Sequence, residues 1–112
     1  MIITTKRFED ETYQCYECNE VIESEEVNRE TWECDKCKKK IVIDIGKENG
    51  MLVRLLPNKV TKFDYVVDQA DKEFHSVKGY TPIKRGFIIG VANHGGVNVR
   101  EDEFVNCLWR DQ

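Results

Sequence analysis

Four cysteines dominate the chemistry that this chain could perform. Cys15 and Cys18 are separated by two residues, fifteen residues follow, and Cys34 and Cys37 repeat the same spacing. Two cysteines spaced this way can turn both sulfurs toward one ion while backbone N–H groups point at the thiolates. Two such turns complete a tetrahedron, the arrangement that zinc accepts with no electronic preference of its own. Four cysteine ligands close the site, leaving no position for water or substrate, so the expected metal is a structural Zn2+. Iron held by the same two turns, as in rubredoxin, and a redox dithiol are the competing readings.

The remaining reactive side chains are sparse. Cys107 alternates with Val105 and Trp109 and reads as a small buried hydrophobe. His75 lies in an expected strand and His94 in an Asn-His-Gly-Gly turn, with no local motif that would make either a catalytic base. A phosphate cradle would require a helix after that turn, and Val97-Asn98-Val99 is not one. No catalytic residue is expected. A small hydrolase using His94 is the enzyme alternative.

Two short basic stretches could make contacts. The segment from Lys78 to Gly86 carries Lys78, Tyr80, Lys84 and Arg85 and reads as a loop whose bases could neutralise phosphates while Tyr80 stacks. Lys38 and Lys39, with Lys36 and Lys40, form a second patch after the last zinc ligand. The bland alternative for both is ordinary solvated turn chemistry.

Elements that must position these residues are short and β-like. Ile41 to Ile45 is β-branched and bounded by Gly46, hence a strand, and Asn49-Gly50 suggests a tight hairpin leading to a return over Met51 to Leu56. Further strands are expected at Phe63 to Asp68, Phe74 to Val77, Gly86 to Ala92, Val97 to Val99 and Phe104 to Trp109. No sustained 3.6-residue apolar period occurs, which argues against long helices. The expected class is mainly β, with residues 1–46 as the metal-binding unit and 47–112 as a small barrel-like domain. The boundary falls between Gly46 and Asn58.

Composition fits a stapled small protein. The chain has 112 residues, 34% charged and 40% apolar, too little apolar material for a small unit to fold without help. Residues 1–46 hold twelve acids and seven bases, a net of −5, whereas 47–112 carry a net of +1. Four thiolates around a dication add a further −2 to the first half. Neither half has the positive field that drives nonspecific nucleic-acid binding. No apolar run is long enough to span a bilayer, no signal peptide is evident, and paired cysteines in an odd total of five fit a reducing cytoplasm better than a disulfide framework.

The two cysteine turns, with Tyr13 before the first and Trp32 before the second, resemble the zinc ribbon family over roughly Thr12 to Ile43. The resemblance implies a small three-stranded unit around the ion. Its usual Gly after each turn is replaced here by Asn19 and Lys38. The strand order of the second half, with a charged single turn at Arg100 to Glu103, resembles SH3-like small barrels over Phe63 to Trp109. That resemblance transfers no functional residues, but barrels of this kind bind peptides or nucleic acid. Together they imply a non-enzymatic adaptor or regulator, or an inhibitor of another protein, that docks on a partner protein or a nucleoprotein machine. Direct nucleic-acid binding through the Tyr80 segment and the lysines after Cys37 is the alternative. No membrane and no small-molecule substrate is evident.

Overall fold

The computed structural model describes residues 1–46 and 51–110. The Asn49-Gly50 turn lies outside them. Nine strands occur among the described residues: β1 (Thr12–Cys15), β2 (Glu20–Ile22), β3 (Val42–Asp44), β4 (Leu52–Leu55), β5 (Tyr65–Val67), β6 (Phe74–Ile83), β7 (Gly86–Val91), β8 (Gly95–Arg100) and β9 (Val105–Leu108). Single 3-10 turns at Ser24–Glu26 and Pro57–Lys59 are the only helical elements among the described residues. The mainly β expectation and the absence of long helices both hold.

The strands form one open antiparallel sheet in the order β2-β1-β3-β4-β9-β5-β6-β7-β8. It runs through the stretch where the sequence suggests a boundary, because Ile43 of β3 faces Leu52 of β4. β9 inserts between β4 and β5, pairing Val53 and Val66 on either side of Cys107. Alternation then sorts side chains onto two faces. Val42, Val53, Val66, Val105 and Cys107 join one core, which extends to Val77, Ile89, Val91 and Val99. Ile41, Ile43, Ile45, Leu52 and Val67 point the other way and meet Phe8, Tyr13, Val27 and Trp32. The central strands are therefore buried on both faces, and the cysteine-bearing region covers one of them. Among the described residues no helical layer covers the other face. Its burial requires the sheet to curl over itself, as the twist of a long antiparallel sheet permits.

One expected loop is a strand. The residues from Lys78 to Ile83 continue β6, pairing with β7 from Gly79↔Gly90 to Ile83↔Gly86 after an irregularity at Val77, and only Lys84 and Arg85 form the turn. Tyr80 and Ile83 look like loop residues because glycine and proline surround them. Pro82 is tolerated because β5 pairs only with Phe74, His75 and Ser76, leaving the outer edge of β6 without a strand partner where the proline sits. Gly86 is obligatory for a steric reason, since a Cβ there would run into the Val99 carbonyl oxygen of β8.

The N-terminal residues carry no motif, yet the fold needs them. Ile3 is buried in the first core. Its carbonyl accepts hydrogen bonds from the Asn106 backbone N–H at 2.9 Å and from Nδ2 at 3.3 Å, while Nδ2 also reaches the Thr5 carbonyl at 2.9 Å. Asn106 Oδ1 accepts from Arg54 Nε at 2.7 Å, and Arg54 Nη2 donates to Glu11 Oε2 at 3.1 Å. Arg54 and Glu11 side chains are each 1% exposed, with Nη1 2.8 Å from Glu11 Oε1 but not aligned for a hydrogen bond. A buried ion pair of this kind ties β4 to the segment entering the cysteine region. Removing either partner would strand a charge in the core.

Candidate metal centre

β1 delivers Cys15 at its last residue, and β2 begins two residues after Cys18. The first cysteine turn is thus the connection of a β-hairpin, with Cys15 opposite Glu20. The second turn is bounded by an isolated bridge between Glu33 and Lys40. Within it the Cys34 N–H donates to the Lys39 carbonyl and the Lys38 N–H to the Cys34 carbonyl, both at 2.8 Å. Each turn finishes in the left-handed region, at Asn19 (φ 54°) and Lys38 (φ 63°). These are the two positions where the sequence lacks the usual glycine. Asn adopts this conformation readily and Lys at a cost.

All four sulfurs lie within 4.8 Å of one another. Cys15 Sγ and Cys37 Sγ are 3.3 Å apart, and Cys18 Sγ and Cys34 Sγ 3.9 Å. A tetrahedron with metal–sulfur bonds of about 2.3 Å has edges of about 3.8 Å, so the cluster has the size to hold one metal ion. These separations also exceed the roughly 2.05 Å of a disulfide bond. Backbone donors support the thiolates as the spacing suggests. The Cys18 N–H points at Cys15 Sγ at 3.4 Å, and the Cys37 N–H, with that of Lys36, holds the Cys34 thiol down to about 7. Its neighbours go the other way. Burial raises Cys15, and hydrogen bonding with the Cys15 sulfur pushes Cys18 up to about 12. Sulfurs this close cannot all carry charge unless a cation sits among them.

Aromatic residues fix the cluster to the sheet. Trp32 is 4% exposed, its ring 6.3 Å from Tyr13 and stacked by the Arg54 guanidinium at 4.3 Å. Tyr16, inside the first cysteine turn, stacks on Trp109 beyond β9 at 4.7 Å with an interplanar angle of 8°. Sequence reading gives neither tryptophan a partner. Tyr16 sits between two ligands and Arg54 in a β-strand, and only the three-dimensional pairing reveals either contact.

The other candidate residues fall into separate places. Lys78, Tyr80, Lys84 and Arg85 are all exposed on the β6–β7 hairpin. Lys38 and Lys39 are exposed beside the cysteine cluster, which joins the sheet through β1 and β3. Three strands, β4, β9 and β5, separate β3 from β6, so the two basic groups do not form one patch through the sheet order. Cys107 is fully buried, and that burial pushes its thiol well up. His75 and His94 meet edge to face at 4.6 Å, and His75 Nε2 lies 2.9 Å from Asp71 Oδ2. This pairing brings together a strand and a turn that the sequence treats separately.

Compared with known proteins, the chain matches no family model, no curated protein and no solved structure.

Proposed function

We propose that the chain is a non-enzymatic zinc-binding adaptor or regulator that docks on a partner protein or nucleoprotein machine in the cytoplasm. The observation that carries the reading is the cysteine cluster, in which four thiol donors surround one metal-sized space. Four thiolates would occupy every position of a tetrahedral zinc and leave none for a substrate. The ion would act as a staple contributing about 10–16 kcal/mol, as in small zinc peptides. The N–H···S contacts and left-handed residues after each turn support a zinc ribbon over Thr12 to Ile43. The curling of the sheet across β4 to β9 supports a small SH3-like barrel beside it.

A second reading is direct nucleic-acid binding. Its support is local. Lys78, Lys84 and Arg85 have no ion-pair partner among the described residues and share an exposed hairpin with Tyr80. The net charge of −4 opposes it.

Elemental analysis of purified protein tests the metal, with one zinc per chain expected and iron as the contrary result. A tagged chain captured from lysate, with and without nuclease and with Cys34→Ser as control, separates the two readings. A protein that survives nuclease and is lost with the variant supports the adaptor. Loss of all captured material on nuclease treatment supports nucleic-acid binding by the Tyr80 hairpin.

A further inference from the structure

A cleft of about 650 Å³ opens where three segments meet: residues 4–7 of the N-terminal strap, residues 29–32 between the cysteine pairs, and the turn at 100–104 between β8 and β9. That volume is in the range of small-molecule sites. Nothing in the metal centre or the basic hairpin accounts for it.

Its lining is rich in cations of unequal standing. Arg100 is answered by Asp102 at 3.4 Å and Glu103 at 3.8 Å, and Arg54 at the floor by Glu11. Lys6, Arg7 and Arg29 have no carboxylate partner among the described residues, and Glu30 is the one acid on the lining without a cation. Arg29 is held ready for a ligand. Its Nη2 donates to Ser24 at 3.1 and 3.2 Å, and its guanidinium lies over the rings of Tyr13 and Trp32. Arg54 is not free for a ligand, because its Nη1 lies 2.8 Å from Glu11 Oε1 in a buried ion pair. Apolar surface comes from Trp32 and from half-buried Phe104.

We propose that this cleft binds a small phosphate-bearing molecule of nucleotide size, its phosphate held by Lys6, Arg7 and Arg29 and its ring lying against Phe104. Guanidinium forks match phosphate oxygens in pairs, and a lysine adds a point charge. The site is independent of the adaptor reading, since it needs the loop at Arg29 and Trp32 in place but neither a partner protein nor a particular metal.

The test is calorimetric titration of the metal-loaded full chain with adenosine monophosphate and, separately, inorganic phosphate. One saturable site is expected, with the nucleotide bound more tightly than phosphate. A Lys6→Glu/Arg7→Glu double variant should weaken it at least about tenfold, or roughly 1.4 kcal/mol, at an unchanged thermal midpoint. A charge-matched Lys59→Glu/Lys62→Glu variant, altered at exposed lysines outside the cleft, should bind as before. Nucleotide-induced resonance shifts should centre on the Trp32 indole and Phe104. Absence of saturation by about 1 mM, the weak end of specific affinities, would overturn the proposal. So would equal weakening in both double variants, phosphate binding as tightly as the nucleotide, or resonance shifts confined to other residues.

Discussion

The cysteine region and the β6–β8 meander use the same sheet in opposite ways. Between Cys15 and Lys40 the named strands are a single hairpin, and two left-handed residues end the turns around four sulfurs. Between Phe74 and Arg100 long strands pair with one irregularity after Val77, and Val77, Ile89, Val91 and Val99 join the apolar core that also holds Cys107. One region gathers four cysteines that could hold a metal ion, and the other is shaped by apolar packing. The two meet through the strands between them, since Tyr13 and Trp32 of the first share a core with Ile43, Leu52 and Val67 of β3, β4 and β5. The contrast shows how a chain with modest apolar content can bury both faces of its central strands.

Removing the ligand bonds should break the comparison most sharply. Cys34→Ser, or a strong chelator, is expected to cost several kcal/mol, since the bound metal can be worth about 10–16 kcal/mol in small zinc peptides. Amide exchange should rise first across residues 12–46 and later in β7. Equal protection loss in both regions would mean that they do not differ in this way. Next in size is the buried ion pair that ties β4 to the segment entering the cysteine region. Arg54→Ala should cost about 3–5 kcal/mol in urea midpoint and slope analysis, because Glu11 is left charged in the core. A loss under about 1 kcal/mol, the size of an exposed pair, would show that the pair is not buried in solution.

Packing in the meander should then respond by its own rule. Ile89 is fully buried, and Ile89→Ala should cost about 2–5 kcal/mol while metal content stays at one ion per chain. Loss of metal in that variant would merge the two regions into one cooperative unit. The smallest effect concerns acid. The Glu73 backbone N–H, then His75, holds the Asp71 carboxyl below its ordinary value. A depressed carboxylate stabilises the fold above its unfolded pKa of about 3.8 and loses that contribution as pH falls through the lower folded value. Asp71→Asn should slightly flatten the acid limb of the stability curve below about pH 4, and an unchanged limb would remove Asp71 from the account.

What the sequence reveals follows the range of the interactions. The cysteine cluster is legible because two residues of spacing fix its local geometry, and β3, β4, β7 and β9 because their apolar runs mark them. The Lys78–Ile83 arm is misread since glycine and proline are turn signals that edge position overrides. Arg54, Glu11 and Asn106 carry no local signal at all. Their burial comes from β9 inserting between β4 and β5 and from a strap a hundred residues away. Tyr16 against Trp109 is hidden for the same reason.

The strap itself has a consequence in time. Residue 3 meets residue 106, while the four cysteines all lie within residues 15–37. A ribosome delivers the four cysteines before β3 to β9, so the cysteine cluster can gather while most of the sheet is still unmade. Ile3 must wait in water until β9 has emerged. An apolar side chain made before the cysteines is thus buried after them, once β9 is in place.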